Sequence, residues 1–504
     1  MSDQPYASAP FSLTRLLDGI AAIAPTGTEV SDLSLDSRQV RRGGVFFALP
    51  GARSHGLDFV AEAVARGAAA VLWEPAAGAL PPRVPAGVFS APIPQLRRHL
   101  GKIADRFFLA PSSRLRICGF TGTNGKTTCA YLLAQCLERL GSPAAYIGTL
   151  GVGKIAAIEP GTHTTPDVVS LHRALAKLAA AGIRDVAIEV SSHALSQDRV
   201  AEVRFHCAAL TNLTRDHLDY HESMRAYGAA KARLFTSPGL EHLVINVGDA
   251  FGRELAERHG SSLPLTAVWV GAGPGFAAPR TLQAAGVHAD TRGITLALAG
   301  SFGQVTLRSG LVGRFNAENA VIVLGTLLAL GVPMADAVNA LAECRAPPGR
   351  MEVVPSLNRA KPLTVVDYAH TPDALAKALA ALREHCDGQI WCVFGCGGDR
   401  DPGKRPIMGQ VADELADRLI VTDDNPRSEN PEAITQAIAR GITAHPVEII
   451  HDRAQAIATA LRSASPVDAV LIAGKGHEDY QIYGQTRRAF SDRGEARRSL
   501  GEAA

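Results

Sequence analysis

The sequence contains no Cys-x-x-Cys pair among its eight cysteines. Cys392 and Cys396 come closest, and no histidine cluster completes a zinc site around them. Thiols scattered along apolar segments read as core residues of a protein kept reduced, which points to the cytoplasm. There is no charge excess either. The 51 Lys and Arg against 49 Asp and Glu leave no global field for nucleic acid or an anionic membrane, so basic residues must act locally. No long hydrophobic run is present. The longest, Ala320 to Val332, falls short of the ~18 residues of a membrane span. It reads as a buried helix whose polar start is Gly313-Arg314-Phe315-Asn316-Ala317-Glu318-Asn319. The first residues have no basic stretch before an apolar core, so no signal peptide is expected. No short repeat and no low-complexity tail occur.

What is there is a chain of 504 residues with nearly half of them apolar, enough for about three domains. The expected fold class is α/β with three domains. Residues 1–110 form a small mixed α/β domain, with strands expected at Gly44–Ala48 and Ala70–Trp73 and Gly/Pro turns between. Residues 111–346 form a central domain, P-loop ATPase-like by its Gly119–Thr128 segment. Its strands, Leu115–Phe120, Asp185–Val190, Cys207–Leu210 and Leu243–Val247, are almost unbroken apolar runs, as suits a parallel sheet buried on both faces. Residues 286–308 alternate and carry glycine turns, which predicts antiparallel strands attached to that core. Pro347-Pro348-Gly349 marks a boundary. Residues 347–504 read as a Rossmann-like doubly wound domain, with strands at Leu363–Val366, Gln389–Phe394, Arg418–Thr422, Val447–Ile450 and Ala469–Ile472. Ligands of such sheets bind at the C-terminal ends of strands, and polar loops follow most of these.

The strongest local signal runs Gly119-Phe120-Thr121-Gly122-Thr123-Asn124-Gly125-Lys126-Thr127-Thr128, between an expected strand and an expected helix at Cys129–Leu140. Glycines let backbone N–H groups approach phosphate oxygens, and the helix N-terminus adds positive potential. Lys126 would neutralise the β/γ-phosphates and the Thr127 hydroxyl would ligate Mg²⁺. The general P-loop pattern wants glycine where Phe120 stands, so the motif departs from the generic form. The plainer reading is a glycine-rich turn. Phe394-Gly395-Cys396-Gly397-Gly398-Asp399 does not make a dinucleotide fingerprint. Its spacing is wrong, and Asp399 and Asp401 crowd the place of a pyrophosphate.

Glu189 lies near the end of an apolar strand, where a carboxylate is hard to solvate and can hold Mg²⁺ beside a phosphate loop. His217, in the loop after another buried strand, reads equally as a second metal ligand or as a structural histidine. Lys231 sits among apolar neighbours on a helix expected at Tyr227–Phe235. A buried lysine has a depressed pKa, and its neutral amine could take up CO₂ as a carbamate. On the residues alone, a snorkelling surface lysine is the preferred reading.

These segments, taken in order, resemble the Mur ligase family. The resemblance rests on Thr121-Gly122-Thr123-Asn124-Gly125-Lys126-Thr127-Thr128, Glu189-Val190-Ser191-Ser192-His193, Leu213-Thr214-Arg215-Asp216-His217-Leu218-Asp219-Tyr220-His221 and Ala230-Lys231-Ala232-Arg233-Leu234-Phe235. Gly313 to Asn319, Pro347-Pro348-Gly349-Arg350-Met351-Glu352 and Asp367-Tyr368-Ala369-His370-Thr371-Pro372-Asp373-Ala374-Leu375 continue it, so it spans nearly the whole chain. Cys396 to Asp401, Asp424-Asn425-Pro426-Arg427 and Gly474-Lys475-Gly476-His477-Glu478 resemble the members that add meso-diaminopimelate.

The resemblance implies a cytoplasmic, monomeric, ATP-dependent amide-bond ligase of peptidoglycan precursor synthesis. It implies Mg²⁺, a CO₂-derived carbamate on Lys231, and the small-molecule substrates ATP, UDP-MurNAc-L-Ala-D-Glu and meso-diaminopimelate. The γ-phosphate would pass to the D-Glu γ-carboxylate, and the diaminopimelate amine would attack the acyl phosphate. Lys126, Glu189, His217 and Lys231 take catalytic roles, with Thr127, Glu189, His217 and carbamylated Lys231 as metal ligands. Gly122 to Thr128, Asn316, Arg350 and Asp367 would contact ATP. Leu35, Ser37, Thr164, Thr165, Ser191, Gln197, Arg199 and Lys231 would contact the UDP-linked dipeptide. Arg400, Asp424, Asn425, Pro426, Arg427, Gly474 and Glu478 would hold diaminopimelate, with the two arginines forked onto its carboxylates. Lysine has no distal carboxylate, so a lysine-adding relative would leave Arg427 unpaired. The rivals are that lysine-adding ligase, a folylpolyglutamate synthetase-like ligase, and a nucleotide switch that only hydrolyses ATP.

Overall fold

The computed structural model describes residues 10–501 except 24–25, 52–53, 78–79, 162, 274 and 357–360. The chain forms two compact units, the first built mostly from residues up to Val244 and the second mostly from Leu265 onward.

The first unit contains two main sheets besides a short antiparallel pair, Phe11–Ser12 with Glu29–Val30. One is four-stranded and parallel throughout, in the order Asp32–Ser34, Gly44–Ala48, Ala70–Trp73, Phe89–Pro92. Its two inner strands match the expectation from sequence. The two outer ones escape it because one has three residues and the other ends in proline. The helix Leu96–Phe107 covers one face, packing Leu96, Leu100, Ile103 and Phe107 onto Val45, Phe47, Ala70 and Leu72. The second sheet is parallel in the order Ala144–Gly148, Asp185–Glu189, Arg116–Thr121, Cys207–Leu210. An antiparallel pair, Gly151–Lys154 and Ala157–Glu159, extends its Ala144–Gly148 edge. Glu189 pairs with Phe120 and Leu210 with Thr121, so three strands end level with one another at the loop that follows Thr121.

In the second unit, Leu265–Val270 pairs parallel with Arg280–Asp290, and Gly293–Gly300 and Val305–Ser309 continue antiparallel. The expected antiparallel segment is therefore real, and it starts earlier than its alternation suggests because the register shifts between Ala284 and Gly286. The run Ala320–Val332 lies largely in the helix Phe315–Ala329, buried on every side from Asn319 to Ala329. A six-stranded sheet follows in the order Glu352–Val353, Leu363–Asp367, Ala469–Ala473, Ile390–Phe394, Arg418–Val421, Val447–Ile449. All but the first strand run parallel. Period-two alternation explains its two covered faces. Val365, Leu471, Cys392 and Leu419 join one core cluster, while Val366, Ile472, Val393 and Ile420 join the other. The doubly wound reading holds, and its polar loops lie together at the strands' C-terminal ends.

Two helices differ from expectation. The phosphate-loop helix spans Lys126–Arg139, three residues earlier than its apolar stripe predicts, because Lys126, Thr127 and Thr128 form a polar first turn that carries no hydrophobic period. The helix expected at Tyr227–Phe235 is Met224–Ala232, started by the Ser223 hydroxyl accepting from the Ala226 N–H, and it tightens to a 3₁₀ turn over Arg233–Thr236.

Candidate active site

The phosphate loop is built by glycine where nothing else fits. Gly122 has φ +147° and Gly125 φ +85°, and a Cβ on Gly122 would strike the Thr211 hydroxyl. Neighbouring residues clamp the loop. The Asn212 side-chain carbonyl accepts from the Asn124 N–H (3.0 Å), and the Thr211 hydroxyl donates to the Asn124 carbonyl (2.6 Å). Lys126 Nζ folds back onto the carbonyls of Gly122 (3.0 Å) and Thr123 (2.9 Å). The loop is thus preformed, with Thr127 and Thr128 in the first helical turn behind it.

Lys231 corrects the surface reading. It is 1% exposed, its Nζ donates to the Gly122 carbonyl at 2.6 Å, and it stands 4.4 Å from the centre of the Tyr227 ring. Burial lowers its pKa to about 6, with the like charge of Lys126 adding to the shift. The helix turns this lysine inward, so snorkelling is not open to it. Tyr227, four residues earlier, is itself buried and meets the Thr123 hydroxyl at 3.2 Å.

Glu189 is 1% exposed at the end of its strand. Its carboxylate accepts from the Tyr146 hydroxyl, from the Thr149 N–H (2.8 Å) and from the Thr149 hydroxyl (3.2 Å). His217 is exposed, in left-handed backbone (φ +52°), and belongs to a histidine group rather than standing alone. Its ring lies 4.8 Å from that of His193 and 6.0 Å from Tyr227, while His193 also meets His221 at 5.6 Å. Burial and the neighbouring rings hold His193 and His221 below the ordinary histidine range.

Five residues expected on the UDP-linked substrate come together beside Glu189. The Thr165 hydroxyl donates to the Glu189 carbonyl (2.8 Å) and accepts from the Ser191 N–H (3.1 Å). Thr164 meets Thr149 at 3.1 Å. Arg199 forks onto the Gln197 side-chain oxygen (3.0 and 2.7 Å) and bonds the Thr165 carbonyl (3.1 Å). Leu35 and Ser37 instead line a separate cavity of ≈ 650 Å³, with Phe46, Pro50, Glu62 and Arg97 among its walls. Ser37 does not cap the turn there. Asp36 does, and the Ser37 hydroxyl donates to Glu62 (2.6 Å).

The second unit carries the remaining candidates. Asn316 is buried and bonded to Val312 (2.7 Å) and Asn319 (2.8 Å). Asp367 ends its strand and accepts from the N–H groups of Met351 (2.7 Å) and Ala369 (2.8 Å), and burial raises its pKa. Arg350 stacks over Tyr368 with its guanidinium 5.1 Å from the ring centre. In the third cluster Asn425 donates to Glu478 (3.0 Å), and fully buried Lys475 reaches Asp424 (3.2 Å), Asn425 (3.2 Å) and Glu478 (3.3 Å). Gly474 takes φ +119°, and a Cβ there would crowd the Asp424 carboxylate at 3.3 Å. Arg427 takes φ +53° after buried Pro426, and its Nη1 donates to the Gly398 carbonyl (2.6 Å). Arg400 is exposed beside Gly397.

Sequence reasoning missed Tyr146, Thr149, Tyr227, His193, His221 and Lys475. Some signals existed. Tyr146 sits in an otherwise small and apolar strand, where its hydroxyl must find a partner. His217 and His221 have helical i, i+4 spacing. Lys475 lies between two glycines just past a buried strand, an unfavourable place for a solvated lysine.

Fold and site together define an α/β protein built around a preformed phosphate loop, and three family models place it among the ATP-dependent amide ligases. The model of the Mur ligase middle domain matches residues 120–327, that of the Mur ligase glutamate ligase domain 349–476, and that of the Mur ligase family catalytic domain 29–108. The chain belongs to the Mur ligase family. It is 47% identical over 479 residues to the UDP-N-acetylmuramoyl-L-alanyl-D-glutamate–2,6-diaminopimelate ligase of Alkalilimnicola ehrlichii, covering 94% of this chain and 95% of that one. The ligase of the same name from Ectopseudomonas mendocina is 48% identical, over 97% and 98% of the two chains. A solved structure of a ligase of that name superposes with a TM-score of 0.73 at 34% identity, covering 98% and 99%. Among the described residues no helix is long and apolar enough to cross a membrane.

Proposed function

We propose that this protein joins meso-diaminopimelate to the D-Glu γ-carboxyl of UDP-MurNAc-L-Ala-D-Glu at the expense of ATP. The relatives of 47–48% identity carry that activity in their names, and the loop holding Arg427 supports diaminopimelate as the amino acid. Its left-handed backbone and its bond to Gly398 hold the guanidinium in place, and a fork from it onto a second carboxylate of the incoming amino acid is the reading this supports. A substrate lacking that carboxylate leaves the charge unmatched, which disfavours lysine.

The chain's own groups supply the positioning. The preformed loop amides and Lys126 receive the β- and γ-phosphates. Asn316, Arg350 and Asp367 contact the nucleotide. Thr164, Thr165, Ser191, Gln197 and Arg199 orient the dipeptide beside Glu189, and Leu35 and Ser37 take the uridine end in the first-sheet cavity, whose size suits a ligand of that kind. Phosphate transfers to the γ-carboxylate, and the acyl phosphate is attacked by the diaminopimelate amine, expelling phosphate. Asn425, Glu478 and Lys475 hold the amino-acid end.

Hard oxygen donors fit Mg²⁺. Glu189 and Thr127 supply them, and carbamylated Lys231, with His217, would complete a second position. Lys231 fits carbamylation because it is buried, nearly neutral and already faces the phosphate loop. When bound, the metal ions would screen the phosphate charges during transfer. The domains divide near 1–110, 111–346 and 347–504, and the enzyme acts as a cytoplasmic monomer, a compartment supported by eight buried thiols.

The test is phosphate release with ATP, Mg²⁺ and UDP-MurNAc-L-Ala-D-Glu, comparing meso-diaminopimelate, L-lysine and no amino acid. Release only with diaminopimelate, with the matching tripeptide by mass, is expected. Release only with lysine would discard the Arg427 assignment. Equal release in all three would mean a nucleotide hydrolase.

A further inference from the structure

Among the described residues, one trio of metal-ligating side chains converges away from the phosphate loop: His206, Glu241 and His242. His206 immediately precedes the strand Cys207–Leu210, and His242 opens the strand His242–Asn246 with Glu241 just before it. The main chain fixes their spacing. The N–H groups of Glu241 and His242 both donate to the His206 carbonyl at 3.0 Å, while the His206 N–H donates to the Ile117 carbonyl at 2.8 Å. Glu241 Oε1 lies 3.2 Å from His206 Nδ1, and the two imidazoles stand 5.2 Å apart at 65°. One ligand atom from each residue falls within 4.8 Å of the other two.

We propose that His206, Glu241 and His242 bind one Zn²⁺-class ion, with water as the fourth ligand. Tetrahedral bonds of about 2.0–2.2 Å separate ligand atoms by roughly 3.3 Å, so the Glu241 to His206 spacing already fits and small side-chain rotations bring in the third. Two imidazoles and one carboxylate favour zinc over the oxygen-seeking Mg²⁺. The imidazoles are half-buried and Glu241 is exposed, so the ion has a path in from solvent and water can complete the shell. The site stands at the opposite end of the strand Cys207–Leu210 from Thr211, about 16 Å of extended chain away from the phosphate loop. It pins the chain leaving one strand connection to the start of the next, and its role is stability. A simple ion pair between His206 and Glu241, with His242 uninvolved, is the competing account.

The experiment titrates untagged full-length protein with Zn²⁺ in excess Mg²⁺ and without nucleotide, reading stoichiometry, affinity and melting temperature, with Co²⁺ absorption as the probe of tetrahedral geometry. One equivalent should bind and raise the melting temperature. Glu241→Gln and His242→Ala should each weaken binding by at least about tenfold, abolish the thermal shift and leave Mg²⁺-dependent ligase turnover unchanged, which also verifies folding. Unchanged Zn²⁺ affinity in either variant, or no tetrahedral Co²⁺ spectrum in the wild type, overturns the proposal.

Discussion

Lys231 offers the sharpest perturbation. An ordinary lysine with a pKa of 10.5 is only about 0.1% neutral at pH 7.5, whereas one at about 6 is about 97% neutral, a gain of roughly a thousandfold in amine able to take up CO₂. The sign of the pH dependence follows. Lowering the pH through about 6 protonates the amine, so carbamate formation and turnover should fall together there. Folding is linked in the same direction. The unfolded chain holds the Lys231 proton up to about pH 10.5 and the native state releases it near 6, so this residue penalises folding fully below about 6 and progressively less as pH rises. The assay is phosphate release in CO₂-depleted and bicarbonate-supplemented buffer, with ¹³C NMR of protein equilibrated with ¹³C-bicarbonate. Lys231→Ala should abolish both turnover and the carbamate signal, and short carboxylic acids should partly restore turnover. Full activity in that variant, or wild-type activity indifferent to CO₂ with no carbamate signal, refutes the reasoning.

Other substitutions test separate parts of the site. Arg427→Ala removes a charged hydrogen-bond partner and should weaken diaminopimelate use by about 2–5 kcal/mol while leaving ATP affinity intact; steady-state kinetics in each substrate separate the two effects. Tyr146→Phe deletes a buried donor to Glu189 and should cost about 1.5–3 kcal/mol, appearing in the Mg²⁺ dependence of turnover rather than in the diaminopimelate KM. Asp492→Asn leaves fully buried Arg453 without its forked carboxylate partner (2.7 and 2.8 Å) and should destabilise the fold by about 3–5 kcal/mol in chemical denaturation. Wild-type stability in that variant would show the pair to be dispensable.

Much of the fold is legible in the sequence because apolar runs and glycine turns are local signals. Strands such as Gly44–Ala48 and Cys207–Leu210 lie where composition places them. The edges Asp32–Ser34 and Phe89–Pro92 are set by pairing rather than by residue type, so they carry no such mark. The phosphate loop and Glu189 are legible for a related reason: a Gly-Lys-Thr run or an acid inside an apolar strand is costly unless used. Lys231 is not, because its inward turn depends on where the helix Met224–Ala232 begins, and Ser223 decides that. The partners of Glu189 come from residues about forty positions away, a distance over which one sequence shows no coupling.

All eight cysteines are buried thiols. A thiol reagent therefore reports openings of the fold, not its surface. Cys118 and Cys207 lie side by side in the first unit's parallel sheet, while Cys392 and Cys396 lie on a central strand of the second unit and at its end. Identifying the alkylated cysteine by mass would say which core had opened, and a substrate that slows one rate and not the other would thereby reveal which unit it steadies.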